Sequence, residues 1–190
     1  MAPLENQTNS TRQTANFMHP ERIIADLGLS RSMTIADFGA GAGYFTLPMA
    51  RIAGQEGKVY ALDIQKEALS LIRARAKIEH LLNIETVRAD LELPRGSKLK
   101  DESADFVLIS NILFQAEKKN EIIAESFRVL KPGGRLAIFE WDQSASTGGP
   151  PMRLRIPPNT AKTFAQNAGF ALDREFSAGS HHYGFIFRKP

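Results

Sequence analysis

Three glycines at alternate positions, Gly39, Gly41 and Gly43, follow Asp37-Phe38 in the stretch Asp37-Phe38-Gly39-Ala40-Gly41-Ala42-Gly43. Glycine lets a backbone turn sharply and lets a ligand come closer than a Cβ would permit. Ahead of the glycines, Met33-Thr34-Ile35-Ala36 is apolar and β-branched, as a buried strand is. Behind them, Tyr44 to Ala53 carries apolar residues at i, i+3 and i+4, as a helix does. A strand turning through glycines into a helix presents unpaired N–H groups and partial positive charge, suited to a carboxylate or phosphate. The chemistry to expect is nucleotide-type binding. Asp63 closes a second apolar stretch, Lys58-Val59-Tyr60-Ala61-Leu62-Asp63, and stands 20 residues beyond Gly43. A carboxylate there can accept two hydrogen bonds from a ribose diol. Aspartate also favours such positions simply as a loop initiator.

The elements that must carry these residues alternate along the chain. A helix over about 20–28 comes first, and another runs from Gln65 to about Glu79. A strand at Ile84-Glu85-Thr86-Val87-Arg88 leads to Ala89-Asp90, and a polar loop runs on to about Ser103. The strand Asp105–Ile109 then ends in Ser110-Asn111, and a helix covers about 118–130. Lys131-Pro132-Gly133-Gly134 reads as a helix stop with turn chemistry before the strand Arg135–Trp141. Strands and helices joined this closely form right-handed parallel crossovers and a sheet covered on both faces. The rhythm then breaks at Gln143–Pro158, a loop rich in Gly, Pro and Ser, followed by a helix over about 159–168. The last two strands, 170–176 and 182–188, are too close in sequence for anything but an antiparallel hairpin.

The pattern D-x-G-x-G-x-G at 37–43 resembles motif I of the class I S-adenosylmethionine-dependent methyltransferases. The dinucleotide fingerprint G-x-G-x-x-G/A fits less well, because its third glycine or alanine would fall on Tyr44. Arg128-Val129-Leu130-Lys131-Pro132-Gly133-Gly134-Arg135-Leu136 is similar to methyltransferases grouped with ubiquinone and menaquinone biosynthesis. The resemblance implies an α/β fold, a Rossmann-like, seven-stranded, mostly parallel sheet with helices on both faces and a C-terminal antiparallel hairpin. It implies S-adenosylmethionine as cofactor and S-adenosylhomocysteine as product. Cofactor binding then falls to Gly39, Ala40, Gly41 and Gly43, to Asp63 with Ile64, and to Asp90 with Leu91 on the adenine. Asp37 either orders the glycine loop or meets the methionine end, and Asn111 either contacts the cofactor or caps the following helix. Residues 1–16 are expected to form a disordered tail and residues 17–190 one methyltransferase domain. Within it, Phe17 and His19 are placed to cover the cleft, and 143–158 forms an acceptor-side loop.

Methyl transfer from a sulfonium is an in-line displacement whose main need is positioning, with a base required only for some acceptors. The candidate bases are His181 and His182, at the hairpin on the cofactor side of the sheet; adjacent strand residues point to opposite faces, so at most one faces the cleft. The alternative is an exposed hairpin histidine. Arg153 and Arg155, in a stretch with Gly148, Gly149, Pro150 and Pro151, could grip an anionic acceptor or simply sit in a solvated linker. Trp141 could face the sulfonium or acceptor, or belong to the core.

Composition narrows the acceptor. The chain has 190 residues, 43% of them hydrophobic, with 24 basic and 21 acidic residues, a net charge of +3. That excess is too small to point to nucleic acid, and Ser110-Asn111-Ile112-Leu113 departs from the N-P-P-Y-like motif of enzymes that methylate base amino groups. There is no cysteine, which removes disulfides, thiolate metal sites and a cysteine nucleophile, and argues against the thiol-dependent arsenite methyltransferases. No His/Asp/Glu cluster has metal-ligand spacing, so no metal is expected. With no spanning segment and no apolar signal core, the expectation is a cytoplasmic enzyme acting on a small molecule. A protein or RNA methyltransferase, and a non-catalytic cofactor-binding scaffold of the same fold, are the alternatives; a dehydrogenase is a further one.

Overall fold

The strand that leads into the glycines, β1 (Thr34–Phe38), is buried along four of its five residues. It has room for β2 (Lys58–Asp63) on one side and β4 (Ala104–Ser110) on the other, both parallel to it. A computed structural model describes residues 20–144, 148–178 and 181–190; the expectations for residues 1–16, Phe17 and His19 lie outside these. Beyond β2 lies β3 (Ile84–Arg88), and beyond β4 lie β5 (Leu130–Trp141), β7 (His182–Arg188) and finally β6 (Ala171–Ser177). The order is therefore β3-β2-β1-β4-β5-β7-β6, with β7 antiparallel to both of its neighbours. This is the expected seven-stranded, mostly parallel sheet with its closing hairpin.

Strand order reverses at β1, since the chain moves outward to β2 and β3 and then returns to β4 on the other side. Ligands of open α/β sheets bind in the crevice that such a reversal opens at the carboxyl ends of the strands. Phe38 is level with Leu62 and with Ile109, so Gly39, Asp63 and Ser110 emerge at one rim.

Each face of the sheet buries its own core. Phe38, Ile109, Ile138 and Phe185 pack toward α4 (Lys119–Val129) and α5 (Pro158–Asn167). Ile35, Phe106, Leu108 and Phe139 pack on the other side toward α1 (Pro20–Asp26) and α2 (Thr46–Ala53). The alternation along each strand carries both faces, and each large apolar side chain removed from water contributes roughly 1.5–3 kcal/mol. Helix α3 (Lys66–Ile78) packs Leu69 and Ile72 beside Ala40 and Ala61. Among the described residues no helix is long and apolar enough to cross a membrane.

Two local expectations are corrected. Lys131-Pro132-Gly133-Gly134 belongs to β5 rather than to a separate connection, and it bulges there: the pairing with β4 jumps from Leu130 to Arg135, and Gly133 keeps a turn-like φ of 75°. The C-terminal chain reaches this stretch, the Gly133 N–H donating to the Lys189 carbonyl and the Lys189 N–H to the Gly134 carbonyl, each at 2.9 Å. Pro132 stops α4 as expected, but a remote partner satisfies the freed backbone. Helix α2 begins at Thr46 rather than Tyr44, because the glycine turn closes on itself through the Gly43 N–H and the Ala40 carbonyl at 2.9 Å. The β3 to β4 connection carries no helix; buried Ser97 anchors it, its N–H donating to Glu125 of α4 at 3.0 Å.

Gly43 adopts a positive φ of 81°. A Cβ there would stand 2.6 Å from Leu47 Cδ1 and 2.9 Å from Ile72 Cγ1. Strain and overpacking together make Gly43→Ala destabilising by about 2–4 kcal/mol, read by urea denaturation. A loss under about 0.5 kcal/mol would mean that α2 and α3 do not close on this turn.

Candidate functional site

The glycine turn is fastened to the end of β2. The Leu62 carbonyl accepts from both the Gly39 and the Ala40 N–H at 2.9 Å. The Gly41 N–H donates to Asp63 Oδ2 at 2.8 Å, and the Gln65 N–H donates to Asp63 Oδ1 at 2.9 Å. Asp63 thus ties the turn to the start of α3 while keeping lone pairs on both oxygens for a further donor. Gly39 has no space for a side chain, since its Cβ would lie 2.3 Å from Ile112 Cγ2, whereas nothing stands within 4 Å of the same position at Gly41. The first glycine admits the wall of the site and the second leaves its floor open.

That floor belongs to a cavity of about 440 Å³, within the usual range for a small-ligand pocket. The structure brings seven of the expected residues to it: Gly39, Gly41, Asp63, Ile64, Asp90, Leu91 and Asn111. Asp63 and Asp90 supply carboxylates at two places, with apolar Ile64, Leu91 and Ile112 between and around them. Asp90 accepts the Glu92 N–H at 3.1 Å, which fixes its loop. Asn111 follows β4 in a left-handed conformation, φ 54°, with its N–H donated to the Phe139 carbonyl at 2.9 Å. Its buried Oδ1 has no hydrogen-bond partner among the described residues. A carboxylate with free lone pairs, an apolar slot and an unpaired buried amide oxygen thus border one cavity.

Three of the expected residues stand behind this cavity. Ala40 is buried against Ala61 and Leu69, and Gly43 serves the packing of α2 on α3. Asp37 is 2% exposed and accepts the Thr46 hydroxyl at 2.6 Å. Burial pushes its carboxyl up to about 7, against the pull of Thr46 and with a smaller push from Asp63. Here Asp37 ties β1 to the first turn of α2.

Trp141, His181, His182 and Arg155, the residues expected on the acceptor side, gather at the ends of β5 and β7. Trp141 and His182 are cross-strand partners with ring centroids 4.2 Å apart. His182 is buried, and desolvation, helped by the charges of His181 and Arg155, lowers its pKa to about 4. Its Nε2 has no hydrogen-bond partner among the described residues. His181 is partly exposed, and its carbonyl accepts the Asp142 N–H at 2.8 Å.

Arg155 departs from the expectation of a grip on an acceptor. It is buried, and its guanidinium donates to the carbonyls of Asp142 at 2.8 Å, Gly148 at 2.6 Å and Pro150 at 3.0 Å. A buried cation needs many acceptors, and this one finds them in its own loop. Gly149 lies against the Trp141 ring, and the guanidinium stands 5.7 Å from that ring. The segment 148–155 is thereby strapped to the end of β5. Arg153, on a short 3₁₀ turn (Met152–Leu154), remains exposed. No group of three or more His, Cys, Asp or Glu residues fit to hold a metal occurs among the described residues.

Sequence reasoning missed Glu140. It is fully buried in β5 and accepts the Leu113 N–H at 2.7 Å. Burial raises its carboxyl to about 7, countered by the backbone N–H groups of Leu113, Ile112 and Phe114 and by Lys119. A signal was present, since Glu140 shares one face of β5 with apolar Leu136 and Ile138.

Asp37 and Glu140 titrate in the unfolded chain near 3.8 and 4.5 but near 7 when folded. Between those values the folded chain keeps two protons that the unfolded chain has released. Their contribution to stability is therefore full below about pH 4 and is lost as pH rises to about 7. Asp37→Asn and Glu140→Gln should each remove on the order of 1–3 kcal/mol of the decline between pH 5 and 7.5, as followed by urea denaturation. An unaltered slope in both variants would contradict the buried, proton-holding state.

Comparison with known proteins places this geometry. A family model described as a methyltransferase domain matches residues 36–138. The chain is 35% identical over 118 residues to the ubiquinone/menaquinone biosynthesis C-methyltransferase of Salmonella arizonae, a match covering 61% of this chain and 45% of that protein. It thus spans less than half the length of that relative. A SAM-dependent methyltransferase from Aquifex aeolicus superposes with a TM-score of 0.83 at 24% identity, over 97% of this chain and all of its own. The [4+2]-cyclase SpnF superposes with a TM-score of 0.76 at 19% identity, over 98% of this chain and 85% of its own.

Proposed function

The chain belongs to the class I S-adenosylmethionine-dependent methyltransferases, and on that premise we propose that it methylates a small-molecule acceptor and releases S-adenosylhomocysteine. The observation that carries this reading is the cavity in which a glycine turn, the Asp63 carboxylate and an apolar slot meet. The cofactor supplies a methyl group on a positively charged sulfur. In our reading Asp63 accepts the ribose hydroxyls, and Asp90 and Leu91 hold the adenine. Gly39 and Gly41 let the backbone approach, with Ile64 and Asn111 closing the sides. Ala40, Gly43 and Asp37 act from behind, by keeping the turn in shape.

The acceptor falls, on this reading, at the ends of β4, β5 and β7, beside Trp141 and the strapped segment 148–155. The low pKa of His182 makes it a poor proton store at neutral pH, so the reaction relies on alignment rather than on a strong base. Arg153 remains able to meet an anionic acceptor, while Arg155 acts through the shape of its loop. The Salmonella relative's printed name specifies C-methylation in ubiquinone and menaquinone biosynthesis, which supports a small organic acceptor here. The balanced charge of the chain supports that over nucleic acid, and we place the reaction in the cytoplasm.

Incubation with methyl-tritiated S-adenosylmethionine and fractionated cell extract should put label in the small-molecule fraction. Label on protein or RNA would overturn the acceptor class, and cofactor binding without transfer to any fraction would favour a scaffold or another chemistry on the same fold. Asp63→Ala should weaken S-adenosylhomocysteine binding by about 100-fold or more, for two charge-assisted hydrogen bonds. Asp63→Asn, which keeps one acceptor oxygen, should lose less. Equal affinity in calorimetry would remove Asp63 from the ribose site.

A further inference from the structure

Buried side-chain oxygens and nitrogens without a hydrogen-bond partner are few among the described residues: Asn111 Oδ1, Glu140 Oε2 and His182 Nε2. All three belong to the ends of the neighbouring strands β4, β5 and β7. Asn111 lines the cavity and His182 faces Trp141, but Glu140 does neither, although a fully buried carboxylic acid is costly to keep. Its surroundings show what it holds. Glu140 Oε1 accepts the Leu113 N–H at 2.7 Å, with the N–H groups of Ile112 and Phe114 also favouring its charged form. One residue earlier in β5, the Phe139 carbonyl accepts the Asn111 N–H at 2.9 Å. Consecutive residues of β5 therefore hold the loop after β4 at two points, Asn111 and Leu113.

Between those points stands Ile112, which lines the cavity and whose Cγ2 occupies the space that a Gly39 side chain would need. The wall facing the glycine turn is thus set from outside the cavity, by a carboxylate on a different strand. Tyr183, opposite Glu140 on β7, donates its hydroxyl to the Ile156 carbonyl at 2.9 Å. Lys119 at the start of α4 is the cation whose charge acts on it.

We propose that Glu140 is a positioning residue for cofactor binding: its carboxylate gathers the backbone N–H groups of residues 112–114 and so holds Asn111 and Ile112 against the glycine turn. Glu140 acts through the loop and does not touch the cofactor. The inference rests on the cofactor site proposed above. An acid therefore stands next to last in β5, on the same face as apolar Leu136 and Ile138, since backbone donors need an acceptor at this place and a carboxylate can serve more than one.

The test is S-adenosylhomocysteine binding at pH 8 by calorimetry to the wild type, Glu140→Gln and Glu140→Ala, with amide hydrogen exchange on each. Glu140→Gln keeps an acceptor oxygen but loses the charge, so its dissociation constant should rise about 5-fold, and that of Glu140→Ala about 20-fold or more. In both, exchange at 112–114 should speed up while that of β1 and β4 stays unchanged. A merely structural acid would lower the melting temperature and leave affinity and local exchange of the folded protein as in the wild type; that result overturns the proposal. If neither variant folds, wild-type exchange decides. Slow exchange at Leu113, slowed further by S-adenosylhomocysteine, supports the proposal, and exchange as fast as at exposed Arg95 refutes it. Absence of binding by the wild type itself would instead refute the cofactor site, so the two failures are distinguishable.

Discussion

The hydrogen bond from the Gly41 N–H to Asp63 is the interaction on which the site depends. It joins the turn after β1 to the end of β2, and the same carboxylate then receives the first N–H of the segment that opens α3. Without it, the Leu62 carbonyl would still hold Gly39 and Ala40, but the turn beyond them would have no partner on β2. A charged acceptor holding a backbone donor is among the stronger hydrogen bonds available to a protein. Asp63 therefore has two duties, shaping the turn and offering its remaining lone pairs to the cavity, and the two cannot be separated by removing the side chain.

Around this point the sheet divides the work between its faces. On the α1 and α2 side, Asp37 and Thr46 tie β1 to the helix behind the turn. On the α4 and α5 side, Glu140 holds the loop that forms the opposite wall. Both acids are buried and hold protons up to about pH 7. The site is thus framed by polar contacts placed inside the two cores. Fold alone does not settle chemistry, as the superposition on a [4+2]-cyclase illustrates; the named residues in the cavity carry that burden.

The strand ends were legible in the sequence because an acid or amide closing a short apolar run is both a turn signal and a binding signal, as at Asp63, Asp90 and Asn111. The antiparallel hairpin was legible because its connection is too short for a crossover. What escaped depended on partners distant in sequence. Lys131 to Gly134 does carry a turn-like Gly133, but the stretch becomes a bulge within β5 because Lys189 pairs with it. Arg155 looks like an anion ligand until the carbonyls of its own loop are seen to enclose it. Gly43 reads as one of three equivalent glycines, yet it answers to Leu47 and Ile72 while Gly39 and Gly41 border the cavity. Glu140 was visible only as an acid out of pattern, because its donors lie 27 residues earlier in the chain.

The most direct test of this account is a thermal-shift comparison of S-adenosylmethionine, S-adenosylhomocysteine and NADH on the purified chain. A ligand at about 100 times its dissociation constant adds roughly 2.7 kcal/mol of stability, on the order of 5–10 °C for a chain of this size. Both sulfur-containing nucleosides should give that shift and NADH none. A shift with NADH alone, or with none of the three, would contradict it.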